Sequence, residues 1–383
     1  MRKFLHILIA ILAFTLAGGR FYDASAQNDL TIGTNVRPSY VMPTHGFYNG
    51  WNPSGEAIRT GSTFDLQFSV SDPYRAVYQG LGAAIHTFFA PNLLGTPATL
   101  YLFQGAPLVA FTDRLAFGYE WNLGVSAGWK NNGVVTASPL NVYINVAALF
   151  TWRINKYWDM VFGPEYTHFS NGDTTFPNGG ANTINFRIGA KRHLKPTDAI
   201  RVENVFASDG LDKTFWERMS NDVSIYGGYR ADRSVSEYGF RVFNEPFPVF
   251  ALNINPLYNV NEYIAVGPSL DLLYDRSANL IVSEDSYFYP TFDRQMAMGI
   301  SARAEIQMPV FAINIGIGYS SQLGNYTRYK DNDLNAIYGM FALKAFVTDR
   351  MFLNVSYRLS TVLYSHNLMF GIGWRFGRLI SCP

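Results

Sequence analysis

The chain has a single cysteine among its 383 residues, Cys382, so no intramolecular disulfide can form. Charge is scarce. Asp, Glu, Lys and Arg make up 15% of the residues, against about 25% in an average globular protein. The formal net charge is only +1, which gives no electrostatic reason to expect a nucleic-acid partner. Beyond the N-terminus no apolar run is long enough for a membrane-spanning helix. His45, His86, His193 and His366 lack metal-ligand spacing, so neither a metal nor a cofactor is expected.

What is present points to an exported membrane protein. Arg2 and Lys3 precede the apolar run Phe4 to Ala17, and Ala24-Ser25-Ala26 fits an A-x-A cleavage site. Residues 1–26 therefore read as a secretory signal peptide, with a mature chain from Gln27. Aromatics reach 16% and glycines number 33. An exported, aromatic-rich chain without a membrane helix fits an all-β fold, a transmembrane antiparallel β-barrel.

Alternation carries that reading. From Leu115 to Trp129, one side holds Leu115, Phe117, Tyr119, Trp121, Leu123, Val125, Ala127 and Trp129; the other holds Ala116, Gly118, Glu120, Asn122, Gly124, Ser126 and Gly128. A bulky side opposite a small polar side suits lipid on one face and a lumen on the other. Met296 to Ile306 and Asn367 to Phe376 repeat the pattern. Glu120, Arg303 and Glu305 fall on lumen sides, and Trp121, Trp152, Trp158 and Trp374 suit an interfacial belt. Short turns at Thr112-Asp113-Arg114, Asn155-Lys156, Asn259 to Glu262, near Pro309 and at Thr348-Asp349-Arg350 alternate with longer loops at Lys130 to Pro139, Ser277 to Arg294 and Gly324 to Asn335. The count is about 16 strands (14–16). The polar segment 195–221 separates a part over 27–194 from further strands over 222–378. A single barrel is expected in preference to two eight-stranded ones, since neither half shows a closing strand of its own.

One stretch carries chemistry. Trp158 to Ser170 reads as about the seventh strand, with Met160, Phe162, Pro164, Tyr166, His168 and Ser170 on its bulkier, lipid-facing side. The next strand sets Asn182 on the same side as Ile184, Phe186 and Ile188. A histidine beside a serine on one rigid face is the pairing that activates a hydroxyl nucleophile. Polar groups on a lipid face are tolerable near an interface and costly near the midplane. With periplasmic termini, the seventh strand runs outward, so the loop Asn171 to Ala181 would lie at the cell surface and the site at outer-leaflet depth.

His168-Phe169-Ser170-Asn171-Gly172, followed by Pro177-Asn178, resembles the signature of PagL-type lipid A 3-O-deacylases, H-x-S-N-[AG], a spacer, then P-N-x-G. The later part, through Asn335 to Tyr338 and Gly371 to Phe376, is similar to longer members described as acyloxyacyl hydrolases. The resemblance implies an outer-membrane barrel that hydrolyses an ester-linked acyl chain of lipid A, with lipopolysaccharide and membrane lipids as its partners. It implies Ser170 as nucleophile, His168 as general base, and Asn171 with the Gly172 backbone N–H as oxyanion donors. The family's third member is a glutamate, where this chain has Asn182. An asparagine orients a histidine without supplying charge, and Asp173 is a possible substitute acid. A competing reading is a passive pore or fatty-acid channel with a degenerate motif; a third is an adhesive barrel binding outside partners through its loops.

Overall fold

The structure, a computed structural model, describes residues 29–71, 77–196, 200, 202, 214–236, 239–261, 263–283, 286–307, 311–324, 336–360 and 367–377. The signal peptide, Cys382, His366, Pro309, most of 195–213 and most of the loop Gly324 to Asn335 lie outside the described residues. The chain divides into two compact units, the first built on 24–171 with 175–205 and the second on 206–383 with 172–174.

The first unit is a closed barrel of eight antiparallel strands in chain order: β1 (Asp29–Val41), β2 (Thr60–Ser71), β3 (Tyr78–Thr87), β4 (Gly95–Thr112), β5 (Leu115–Trp129), β6 (Leu140–Asn155), β7 (Trp158–Ser170) and β8 (Ala181–His193). It closes where β8 returns to β1, with Val36 opposite Ile188 and Tyr40 opposite Ile184. Period-2 alternation sorts the side chains. Phe64, Phe68, Ile85, Ile184, Phe186 and Ile188 are exposed on the outside, while Asn35, Arg37, Asp65, Gln67, Glu120, Asn145, Glu165 and Arg187 are buried within. An apolar outside around a polar inside is the arrangement a barrel in lipid requires.

The interior is filled. Arg187 donates to Glu120 at 2.6 Å and to Glu165 at 2.9 Å, and Arg37 pairs with Asp65. Tyr101 donates to Asp65 at 2.6 Å and Tyr78 to Glu120 at 3.1 Å. Removing charge from water is costly unless each ion is paired and hydrogen-bonded, which this network achieves. Toward the end with the longer loops the polar network gives way to a cluster of Phe47, Tyr48, Phe88, Tyr101, Trp129, Val135, Tyr143 and Phe169. An eight-stranded barrel has an interior that side chains can fill, and this one is occupied by ions and then by aromatic rings.

The second unit is another closed eight-stranded barrel. It begins with β9 (Met219–Ser236), β10 (Gly239–Asn259) and β11 (Ile264–Asp275). The loop that follows holds a small separate hairpin, β12 (Ile281–Val282) with β13 (Tyr287–Phe288). The barrel then continues through β14 (Met296–Gln307), β15 (Phe311–Gln322), β16 (Ala336–Phe346), β17 (Met351–Ser360) and β18 (Asn367–Gly377), which pairs with β9. Its interior also carries ion pairs. Lys344 bridges Asp222 at 2.6 Å and Glu305 at 2.5 Å, Arg375 contacts the same two carboxylates, and Arg303 donates to Asp271.

Two expectations need correction. The described strands form two closed barrels of eight rather than one of sixteen. Closure is a pairing between strands far apart in sequence, β1 with β8 and β9 with β18, and no local pattern marks it. The tryptophan assignments also change. Trp129 turns inward after Gly128, whose φ is +97°, and its Nε1 donates to Ser126 Oγ at 2.9 Å. Trp121 is buried, with its Nε1 donating to the Gln104 side chain. Trp152, Trp158 and Trp374 are exposed, as a belt requires.

Candidate active site

The site begins with Phe169. Only 2% of this side chain is exposed, and it packs against Trp129 with ring centroids 4.9 Å apart, His86 at 5.0 Å and Tyr143 at 5.4 Å. A one-residue slip would expel this ring from the core, so register is strongly specified. With Phe169 inward, His168 and Ser170 share the outward face of β7 with the exposed Pro164 and Tyr166. On β8, Asn182 lies directly opposite His168 in the ladder and shares its side with Ile184 and Phe186.

His168 Nδ1 lies 2.7 Å from Asn182 Oδ1. An amide oxygen only accepts, so Nδ1 carries the proton and the neutral ring leaves its Nε2 lone pair free to take one. The Tyr166 hydroxyl donates to the same oxygen at 2.6 Å, and Asn182 Nδ2 donates to Thr44 Oγ1 at 3.3 Å. Ser170 and His168 are not hydrogen-bonded to each other among the described residues. Before substrate binds, such contacts are often long. Both flank Gly180, where an added Cβ would fall 3.7 Å from His168 Cε1 and 3.7 Å from Ser170 Cβ.

The loop after β7 is tied down by its own motif. The Asn171 backbone N–H donates to Asn178 Oδ1 at 3.0 Å, and Asn171 Nδ2 donates to the Thr175 carbonyl at 2.7 Å. Asn171 is buried, with its backbone N–H and its side-chain amide both engaged within the loop. Gly172 and Gly180 adopt left-handed conformations, φ +67° and +61°, that glycine accepts at little cost. Gly180 is held from two sides: its N–H donates to the Val135 carbonyl at 3.1 Å, and its carbonyl accepts from the Tyr48 hydroxyl. Burial pushes the Tyr48 phenol up, so it remains a donor throughout the neutral range.

Asn182, not Asp173, occupies His168 Nδ1. The residues missed by sequence reasoning are Tyr166, Thr44 and Tyr48. Tyr166 was within reach, lying two positions before His168 on the same face. Thr44 and Tyr48 come from the loop after β1, and no local signal links them to the motif. The other described histidines have structural partners. His86 sits between Thr63 Oγ1 and Thr99 Oγ1, each at 2.8 Å, His193 contacts Asp159 at 2.7 Å, and His45 Nδ1 accepts from the Phe47 N–H. Among the described residues no group of three or more His, Cys, Asp or Glu could hold a metal ion.

Comparison with known proteins adds the family. The family model described as lipid A 3-O-deacylase (PagL) matches residues 45–191, and the model described as acyloxyacyl hydrolase, C-terminal domain, matches 219–378. No curated protein matches. Among solved structures, CdiB from Acinetobacter baumannii is similar at 8% identity and TM-score 0.21, over 91% of this chain and 60% of that one. The outer membrane protein Omp33 from Acinetobacter baumannii is similar at 7% identity and TM-score 0.19, over 91% of this chain and 99% of that one. The alcaligin receptor FauA from Bordetella pertussis reaches 10% identity and TM-score 0.25, over 91% of this chain and 65% of that one. Likenesses this faint carry no argument about function. With the two models together spanning 45–378, the chain belongs to the family of PagL-type lipid A 3-O-deacylases and acyloxyacyl hydrolases.

Proposed function

We propose that the protein is an outer-membrane esterase that hydrolyses an ester-linked acyl chain of lipid A by a Ser170/His168 mechanism. The observation that carries this reading is the Asn182–His168 contact, which commits Nδ1 as a donor and leaves Nε2 as a base on the face that bears Ser170. Ser170 Oγ attacks the ester carbonyl as its proton passes to His168 Nε2. The tetrahedral intermediate then expels the sugar oxygen, which takes that proton. Water, deprotonated by the same nitrogen, releases the fatty acid and restores Ser170. Asn171 and the Gly172 backbone N–H are the proposed oxyanion donors, each donor worth about 3 kcal/mol. Asn182 orients the ring without charge; the acid-to-amide exchange costs about 10⁴ in kcat in a serine protease.

The position of the pair supports a lipid substrate. It stands at the end of the seventh strand, on an apolar outward face, where an acyl chain arrives from the membrane and not from a lumen. With the termini periplasmic, that end lies in the outer leaflet, where lipopolysaccharide is the ester-bearing lipid. The ions and aromatic rings that occupy the interior of the first barrel favour this reading over the channel. Mass spectrometry of lipid A from cells expressing wild-type or Ser170→Ala protein tests it. Loss of one acyl chain with wild type alone is expected; unchanged lipid A with both would overturn it.

A further inference from the structure

Replacing an acid by an asparagine raises a problem beyond lost charge. A carboxylate offers an acceptor oxygen whichever way it is turned, whereas an amide offers an acceptor at one end and a donor at the other. Turned by 180°, Asn182 would present Nδ2 to His168 Nδ1. That arrangement selects the Nε2–H tautomer, in which the nitrogen meant to deprotonate Ser170 already carries a proton. A working asparagine at this position must be held one way round.

Building on the esterase reading, we infer that Tyr166 and Thr44 are positioning residues that lock the Asn182 amide and thereby set the His168 tautomer. The Tyr166 hydroxyl at 2.6 Å from Oδ1 is the discriminating contact. A phenol is a good donor and a poor acceptor, so it favours the oxygen end. Thr44 Oγ1, 3.3 Å from Nδ2, takes the amide hydrogen at the opposite end. Turning the amide would set Nδ2 against the Tyr166 phenol and against the Nδ1–H of His168, whereas the Thr44 hydroxyl, donor as well as acceptor, holds whichever end faces it and fixes the amide plane. The two supports reach the site independently, Tyr166 along β7 and Thr44 from the loop after β1. They act on His168 only through the amide, since the contact each makes here is with Asn182.

The test uses the full chain in detergent micelles, with ¹⁵N-labelled histidine, at about pH 8.5, where an ordinary imidazole is neutral. Wild type is expected to show His168 as the Nδ1–H tautomer. Tyr166→Phe, which keeps shape and removes the hydroxyl, is expected to mix in the Nε2–H form, and more strongly when combined with Thr44→Val, which frees the amide plane. On a short-chain ester or lipid A, Tyr166→Phe should lower kcat about tenfold, the weight of one well-made hydrogen bond, with KM little changed. In an Asn182→Asp background, where either oxygen accepts, the same change should cost less than about twofold and leave the tautomer intact. An unchanged tautomer in the doubly substituted protein, or an equal loss of kcat in the wild-type and Asn182→Asp backgrounds, overturns the inference. The NMR readout does not depend on turnover. A tautomer shift in a protein that releases no fatty acid would sink the esterase reading and leave the positioning role standing.

Discussion

Substituting Gly180 by Ala separates the geometry of this site from the stability of the barrel. Gly180 has φ +61°, and a Cβ there would lie 2.6 Å from the Phe169 carbonyl oxygen. The left-handed conformation alone costs a non-glycine residue about 1–2 kcal/mol. The clash is with backbone, which cannot swing aside as a side chain would, and forcing atoms into a packed region adds about 1–3 kcal/mol. Gly133 in the loop after β5 is a built-in control, with φ +67° and nothing within 4 Å of a built Cβ. Gly133→Ala should therefore lose about 1–2 kcal/mol. Gly180→Ala should lose about 2–5 kcal/mol, and it should also displace the strand end that carries His168 and Ser170. Urea unfolding in micelles, followed by tryptophan fluorescence, reads the first effect, with Trp129 against Phe169 reporting locally. Release of fatty acid from lipid A reads the second, where misplacement of a reacting group by about 1 Å costs roughly 10²-fold. If both alanine variants lose the same stability and keep the same activity, the picture of Gly180 as the tight floor of the site is wrong.

Ser170→Ala and His168→Asn should abolish deacylation while far-UV circular dichroism remains that of a folded barrel, since both side chains face outward. Asn182→Ala should lower the rate less than either, and Asn182→Glu should maintain or raise it by restoring a charged partner; a wild-type rate in Asn182→Ala would show that His168 needs no orienting group. Arg187→Met removes the cation that both Glu120 and Glu165 accept from; Glu165 keeps Arg37 at 3.5 Å, but the buried Glu120 loses its ion pair, which should destabilise the first barrel by about 3–5 kcal/mol in a urea titration. A protease-cleavable tag inserted near Thr174 should be cut in intact cells; protection until the outer membrane is opened would invert the proposed topology.

The two-residue period made the bounds of β5 and β7 legible, and the faces of β7 throughout, because each strand's faces are set by its own residues. The same period placed His168, Ser170 and Asn182 on one side before any pairing was known. It failed at Trp129, where the positive φ of Gly128 breaks the alternation that every such reading assumes. It also placed Trp121 in a belt when the ring is buried against Gln104, a contact that depends on β4.

By itself the sequence determined an all-β barrel, the outward serine and histidine, and an asparagine where its family has an acid, since each is written in local pattern or residue identity. Only the tertiary structure decided that there are two barrels. Strands β1 and β8 must meet across the intervening six, and any strand edge can in principle pair with any other. Only it brought Thr44 to the amide of Asn182 and Tyr48 to the carbonyl of Gly180. Those contacts arise from barrel closure, which sets the loop after β1 beside the start of β8.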